Sequence, residues 1–406
     1  MKKDTLLKIA NEFETPTYVY DGEKIKSQYN LLKDAFGDKR PVRLFYAMKA
    51  LNNINILNIL KELGSGIDAV SIEEVYLAIR AGFKKSDIIY TPNMVSWQEL
   101  KEVIDLGVKI NVDNLTFLER IGVEYGDKVP VCIRINPHIM AGGNVQISVG
   151  HIDSKFGISI HQVKHIERIV KFYNMKIVGL HMHTGSDIIN PDVFLQGAEL
   201  LYDSAENFKD LEFLDFGSGF KVKYKDSDII TDINVIGEKI SNSFDDFCKR
   251  TGRDLSLYFE PGKFLVSESG TFLVSCNVIK QTTSTVFVGV NSGQNHLIRP
   301  MFYNAYHDIK NISNPHGENK LYSVVGYICE TDTLGYDRLL PEVKIGDVLS
   351  ISNAGAYCFT MSNQYNARLR PAEVLVLGDK YHLIRKRETL EDIYKNEIRI
   401  KEYESL

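Results

Sequence analysis

Between about residues 42 and 265 the chain alternates short, uninterrupted apolar runs with longer stretches in which apolar residues recur every three or four positions. The short runs lie at 43–47, 66–70, 87–90, 109–112, 131–135, 177–182, 212–216 and 256–259. Their length and consecutive apolar residues predict buried strands. The stretches between them, such as Ile72–Ala81 and Trp97–Leu106, have the period of an amphipathic helix. About eight strands separated by helices predict parallel β/α units closed into a (β/α)8 TIM barrel. A doubly wound open sheet is the rival arrangement, weakened because no Gly-x-Gly-x-x-Gly follows the first strand.

The pattern changes on both sides of this region. After about residue 266 the runs at 271–279, 284–290, 321–328, 348–351 and 373–377 predict strands with little helix between them. They imply a separate all-β domain, a β-barrel or sandwich. At the start of the chain, Leu6, Leu7, Ile9 and Phe13 precede Pro16 and the β-formers Tyr18-Val19-Tyr20, which predict a short strand. Asp21 then stands where a helix through Ile25, Tyr29, Leu32 and Phe36 needs its N-cap.

At 406 residues the chain exceeds one ordinary domain, in keeping with this division. A net charge of -5 gives nucleic acid or an anionic membrane no electrostatic reason to bind. Five cysteines without paired spacing point to a reducing compartment rather than a disulfide framework. Met1-Lys2-Lys3-Asp4 lacks the apolar core of a signal peptide, and no apolar run nears the roughly 20 residues of a membrane span. A cytoplasmic location is expected.

Candidate chemistry collects at strand ends. Lys49 follows the apolar run Leu44–Ala47, and in a parallel α/β protein that end of a strand faces the catalytic mouth. Apolar neighbours lower a lysine's pKa and free its amine for Schiff-base chemistry, although a solvated lysine ending a strand is the commoner case. His181 and His183 are two apart and share a strand face. They suit either a metal site completed by Asp187 or Asp215, or two interior histidines satisfied by hydrogen bonds. The glycines of Gly217-Ser218-Gly219 let backbone N–H groups crowd a phosphate. Glu260, in Glu260-Pro261-Gly262-Lys263, ends the last barrel strand and on its own suits a surface ion pair equally well.

The run Tyr46-Ala47-Met48-Lys49-Ala50-Leu51 resembles the pyridoxal-lysine motif of the fold-type III, alanine-racemase-like decarboxylases. Gly66-Ile67-Asp68-Ala69-Val70-Ser71, Ser154-Lys155-Phe156-Gly157, His183-Thr184-Gly185-Ser186, Gly217-Ser218-Gly219 and Glu260-Pro261-Gly262-Lys263 follow in the family's order. So do Arg299 with Tyr303, Cys329-Glu330-Thr331-Asp332, Asn353-Ala354-Gly355-Ala356-Tyr357 and Tyr365–Val374, so the resemblance spans nearly the whole chain. It implies a barrel over 30–265 and a β-domain built from 1–29 and 266–406. It implies pyridoxal 5′-phosphate as cofactor, no metal, and decarboxylation of meso-2,6-diaminopimelate to L-lysine, the last step of lysine biosynthesis. By resemblance Lys49 holds the cofactor and Asp68 lies beside it. His183 stacks on the ring, while Ser186, Gly217, Ser218 and Gly219 serve the phosphate. Glu260 bonds the ring nitrogen, whose positive charge is what lets the ring accept electrons.

Gly262 and Lys263 complete this region, with Lys263 standing where the family usually has arginine. A lysine point charge does not reproduce arginine's bidentate fork. Arg299 and Tyr303 hold the substrate's distal carboxylate by resemblance, and Tyr357 touches cofactor and substrate. Cys329 and Glu330 reach into the partner's site of a homodimer with shared active sites. There Cys329 or Lys49 is the proton donor, and Glu330 meets the distal amine. Further departures are Leu51, Ser218 for a middle glycine, and Asp187 where glutamine often stands. Ornithine, arginine or a carboxylated polyamine are the alternative substrates, and a pyridoxal-phosphate carrier protein is a further alternative. A racemase is disfavoured by Glu260, and a metal-dependent barrel enzyme is the outside possibility.

Overall fold

The computed structural model describes residues 1–139, 154–183, 185, 190–230 and 232–400, in two compact units. One unit is Lys24–Ser267; the other joins Met1–Glu23 to Glu268–Leu406.

The first unit is a closed parallel barrel. Its strands are Val42–Ala47, Gly66–Ala69, Ile88–Tyr90, Lys109–Val112, Val131–Asn136, Ile177–His181, Phe213–Asp215 and Ser256–Phe259. Each pairs in parallel with the next, and Ser256–Phe259 returns to Val42–Ala47 to close the ring. Helices between the strands begin where the sequence supplies caps. The side chains of Asn53, Ser71, Ser96 and Asn114 each accept a backbone N–H from the first turn. Trp97–Leu106 ends at Gly107 in the left-handed region, where a side chain would be strained.

Side chains from six strands meet in the barrel interior, where Phe45, Ile89, Cys132, Val178, Phe213 and Tyr258 form one cluster. The Phe213 and Tyr258 rings stack at 4.3 Å. Space for these rings comes from glycine on the neighbouring strand, in register opposite each ring. A Cβ on Gly66 would meet the Phe45 ring at 2.4 Å, and one on Gly179 the Phe213 ring at 2.3 Å. Packing inside the barrel therefore rests on pairs of one large and no side chain.

The second unit is a nine-stranded mixed sheet around the long strand Gly270–Gln281. That strand pairs antiparallel with Thr17–Asp21, Val286–Val290 and Val348–Ser352. Thr17–Asp21 also pairs in parallel with Ala372–Leu377. Within the unit, Tyr20 Oη donates to Glu373 at 2.8 Å, and Arg385 closes an ion pair on the same fully buried carboxylate.

The barrel and the β-rich second unit are as the hydrophobic pattern predicts. Several elements were not predicted, four of them in the second unit's sheet and its opening helix. Leu6, Leu7, Ile9 and Phe13 lie on a helix, Lys3–Phe13, with Leu6, Ile9 and Ala10 buried. The strands Ile309–Asn311, Thr333–Pro341 and Lys380–Arg385 also went unread. Thr333–Pro341 contains Gly335, a left-handed Asp337 and a terminal proline, and it ends the main strand order, so alternation is broken. Among the described residues no helix is long and apolar enough to cross a membrane.

Replacing Gly179 by alanine should overpack the barrel and destabilise the protein by about 1–3 kcal/mol. Adding Phe213→Leu to Gly179→Ala should recover part of that loss, whereas Phe213→Leu alone should destabilise. Urea midpoints of the four proteins check this, and additive losses would contradict it.

Candidate active site

The C-terminal ends of the barrel strands carry a set of mostly buried charged side chains. Lys49 sits in the single turn Met48–Ala50 directly after the first strand, anchored as Ala47 N–H donates to Pro261 O at 3.1 Å. Its Nζ stands 3.3 Å from Asp68 Oδ2 at the end of the second strand. The Asp68 side chain is 1% exposed and that of Lys49 43%, so a buried carboxylate holds a solvent-reaching amine. Burial and the nearby Glu260 charge push Asp68 up, while the Lys49 ammonium pulls it down; the net direction is up. Asp68 Oδ1 has no partner among the described residues.

The sixth, seventh and eighth strands end in His181, Asp215 and just before Glu260, all buried. His181 Nε2 lies 3.0 Å from Glu260 Oε2, and Thr91 Oγ1 donates to Glu260 Oε1 at 3.3 Å. Burial opposes the Glu260 charge, but the charge and hydrogen bond of His181, with Lys49 behind them, outweigh it. The carboxyl is held well below the usual range and stays ionised. Gly217 N–H donates to Asp215 Oδ1 at 2.9 Å.

His183 and the glycine loop interlock. Ser218 N–H donates to His183 Nδ1 at 3.3 Å, which places the ring proton on Nε2. Enclosure, then the Arg134 and Lys49 charges, push the imidazole pKa down to about 3, so the ring is neutral at physiological pH. A Cβ on Gly217 would meet His183 Nδ1 at 2.6 Å and Met182 O at 2.7 Å, and Gly217 has φ +60°. Gly219 has φ +131°. The Gly217 and Ser218 amides are thus already engaged within the fold. The loop therefore offers fewer amides than its glycine content promised.

His181 and His183 do not form the metal pair that their spacing allowed. Among the described residues the group compact enough to hold a cation is His181, Asp215 and Glu260, and His183 is turned to the loop. Asp187 and Ser186, expected at this end, lie outside the described residues. Gly262 packs against Ala47 and Ala50, which a Cβ would meet at 3.2 and 3.3 Å, and Lys263 opens the turn Lys263–Val266. Two contributors were not expected from sequence. Thr91 supports Glu260, and Arg134 is a buried guanidinium facing Glu260, Asp113, Asp68 and Asp215. A lone arginine inside the apolar strand Val131–Asn136 was the readable signal.

The second unit carries the remaining expected residues. Arg299 is buried, with its guanidinium 5.6 Å from the Tyr303 ring, unlike a surface salt-bridge partner. Cys329 is exposed, so it is not the small buried hydrophobe that most free cysteines are. Asn366 Nδ2 donates to Cys329 Sγ at 3.2 Å. Glu330 accepts from Gln294 Nε2 at 2.9 Å and from Tyr365 Oη at 2.8 Å. Asp332 ties the loop down by accepting the Gln294 and Ile328 amides at 2.6 and 2.9 Å. Tyr357 has φ +56°, a strained conformation for a large side chain.

A barrel whose first strand delivers a lysine, and whose last delivers a buried carboxylate, falls in a known class. Residues 22–267 match the family model described as "Pyridoxal-dependent decarboxylase, pyridoxal binding domain". The diaminopimelate decarboxylase of Methanothermobacter thermautotrophicus is 38% identical over 400 residues, covering 96% of this chain and 93% of that one. That of Aquifex aeolicus is 35% identical, covering 96% and 93%. The crystal structure of Helicobacter pylori diaminopimelate decarboxylase complexed with L-lysine superposes with a TM-score of 0.89 at 32% identity, covering 96% and 98%. The chain belongs to the diaminopimelate decarboxylase family.

Gly217→Ala should displace the His183 ring and cost roughly 1–2 kcal/mol from the left-handed backbone alone. Its affinity for pyridoxal 5′-phosphate, followed by absorbance on titration of the apoprotein, should fall at least about tenfold. Unchanged affinity would show that the loop and His183 are not coupled.

Proposed function

We propose that the protein removes a carboxylate from meso-2,6-diaminopimelate and releases L-lysine, using pyridoxal 5′-phosphate. The observation that carries the cofactor reading is the Lys49 amine, solvent-reaching yet 3.3 Å from the fully buried Asp68 carboxylate, at the same barrel end as Glu260. The residues present suit that group. Gly217 and Gly219 form a cradle that a Cβ would fill or strain, and Asp68 Oδ1 is a buried acceptor left without a partner among the described residues. Kinship with a diaminopimelate decarboxylase complexed with L-lysine supports the substrate.

When bound, the cofactor supplies an electron sink for the pair left behind as carbon dioxide departs. Lys49 Nζ is its attachment point, and Asp68 keeps that amine in place. Glu260 presents an ionised carboxylate to the ring nitrogen, and the neutral His183 ring provides a flat face without charge. Gly219 N–H and the Ser218 hydroxyl are the loop donors for the phosphate, with Ser186 assigned to the same end and Lys263 to phosphate or substrate.

Arg299 and Tyr303 bind the carboxylate that is retained, and Tyr357 lies against cofactor and substrate. Cys329 Sγ returns a proton to the reacting carbon and Glu330 binds the distal amine, both acting on the site of a second copy in a homodimer. Their fixed posture, held by Asn366, Gln294 and Tyr365, suits groups that meet a ligand from outside their own chain.

Arg299→Ala should lower kcat/KM for diaminopimelate roughly ten- to a hundredfold, the worth of one lost charge-assisted contact. Activity on ornithine, which lacks the distal carboxylate, should change far less. Lys263→Ala discriminates its two roles: a loss confined to diaminopimelate assigns it to substrate, an equal loss on every substrate to the phosphate. If Arg299→Ala keeps its preference for diaminopimelate, the substrate assignment fails while the cofactor assignment stands.

Lys49→Ala and Cys329→Ala should each be nearly inactive alone, yet regain activity on mixing if subunits exchange. A hybrid dimer then holds one site with both residues intact. Absence of recovery, with exchange demonstrated by labelled subunits, rules out a shared site.

A further inference from the structure

His181, Asp215 and Glu260 each bring a side-chain ligand atom within 4.8 Å of the others, because the last three barrel strands end side by side. All three side chains are buried. The titratable groups facing Glu260 are His181, Asp215, Asp68, Lys49, Arg134 and His183, with the Cys132 thiol behind them. Three carboxyls thus share one enclosed space with the Lys49 and Arg134 side chains.

Their partners are unequal. Glu260 accepts from His181 at 3.0 Å and Thr91 at 3.3 Å. Asp68 has the Lys49 ammonium at 3.3 Å. Asp215 accepts from Gly217 N–H through Oδ1 alone, and its Oδ2 is buried without a partner among the described residues. Arg134 is shared among four carboxyls, and among the described residues Asp215 has no adjacent counter-charge of its own. A buried anion in that position takes up a proton rather than remain ionised. Where neighbouring carboxyls have environments this different, one becomes the acid and the other the anion.

We infer that Asp215 is a neutral carboxylic acid carrying its proton on Oδ2, beside an ionised Glu260 that His181 holds in place by donating from Nε2. Burial and the Glu260 charge both drive the Asp215 carboxyl upward, in the same sense. His181 and Asp215 are then positioning residues. The proton on Asp215 removes a repulsion that would otherwise neutralise Glu260, and the His181 N–H fixes which way the Glu260 charge points. Its catalytic meaning rests on the cofactor reading above, since a charged Glu260 is what a protonated ring nitrogen requires; the protonation of Asp215 itself does not.

The infrared spectrum of the holoenzyme tests the inference directly. A protonated-carboxyl band that shifts on 13C-labelling of aspartate should be present at neutral pH and should lose intensity in Asp215→Asn, which keeps an acceptor for Gly217 and a donor toward Glu260. No aspartate band lost in that variant means Asp215 is ionised, and the inference is overturned.

His181→Leu should raise the acid limb of the kcat/KM profile, and of the bound cofactor's visible titration, by about one pH unit or more. Glu260 is active when charged, and without His181 the opposing effect of burial lifts its pKa. His181→Gln, which retains a donor, should recover much of that shift and serves if the leucine variant does not fold. An unmoved acid limb in both variants overturns the positioning role of His181. Failure of the wild-type protein to bind pyridoxal 5′-phosphate would sink the cofactor reading instead, while the infrared band in the protein alone still decides Asp215.

Discussion

Balancing buried charge at one end of the barrel is the constraint on which the site depends. Asp68, Asp215, Glu260 and Arg134 are all buried, and each ionised group among them needs a partner or a proton. The strand order meets this need, because adjacent parallel strands stop at nearly the same level and set their terminal side chains shoulder to shoulder. Lys49 finds Asp68 across one strand pair, and Glu260 finds His181 across two. Charge pairing and barrel closure are thus one arrangement, set above the apolar cluster of the barrel interior.

How much of this the sequence disclosed depended on the range of the interaction. The eight barrel strands were readable because strands buried on both faces are continuous apolar runs, and Trp97–Leu106 was readable to the residue from its period. Lys49 stood out because it directly follows such a run. Edge strands were harder. Lys380–Arg385 is mostly exposed and lacks an apolar face, and the one local signal for it, the two-residue Gly378-Asp379 hairpin turn, went unread. Partnerships across the fold left no local trace. Nothing near Glu260 in the chain names Thr91 or His181, and nothing near Cys329 names Asn366.

The second unit solves a different problem, that of keeping an exposed loop in one posture. Cys329 and Glu330 are exposed, yet Gln294, Tyr365 and Asn366 each spend a hydrogen bond on them. Asn366 and Ala367 both adopt left-handed backbone conformations, strained for a non-glycine residue, to bring that amide to the sulfur. Glu330 alone accounts for two of these bonds, so its carboxylate is pinned at both oxygens before any ligand arrives.

The strand Thr17–Asp21 lies between Gly270–Gln281 and Ala372–Leu377. During vectorial synthesis its two neighbours therefore leave the ribosome some 250 and 350 residues after it does. Every hydrogen-bonding group of the barrel has been made by residue 267, whereas the opening strand must wait, unpaired, for nearly the end of translation. The order of manufacture thus favours a barrel that matures first, with the β-rich unit completed only when the two ends of the chain meet.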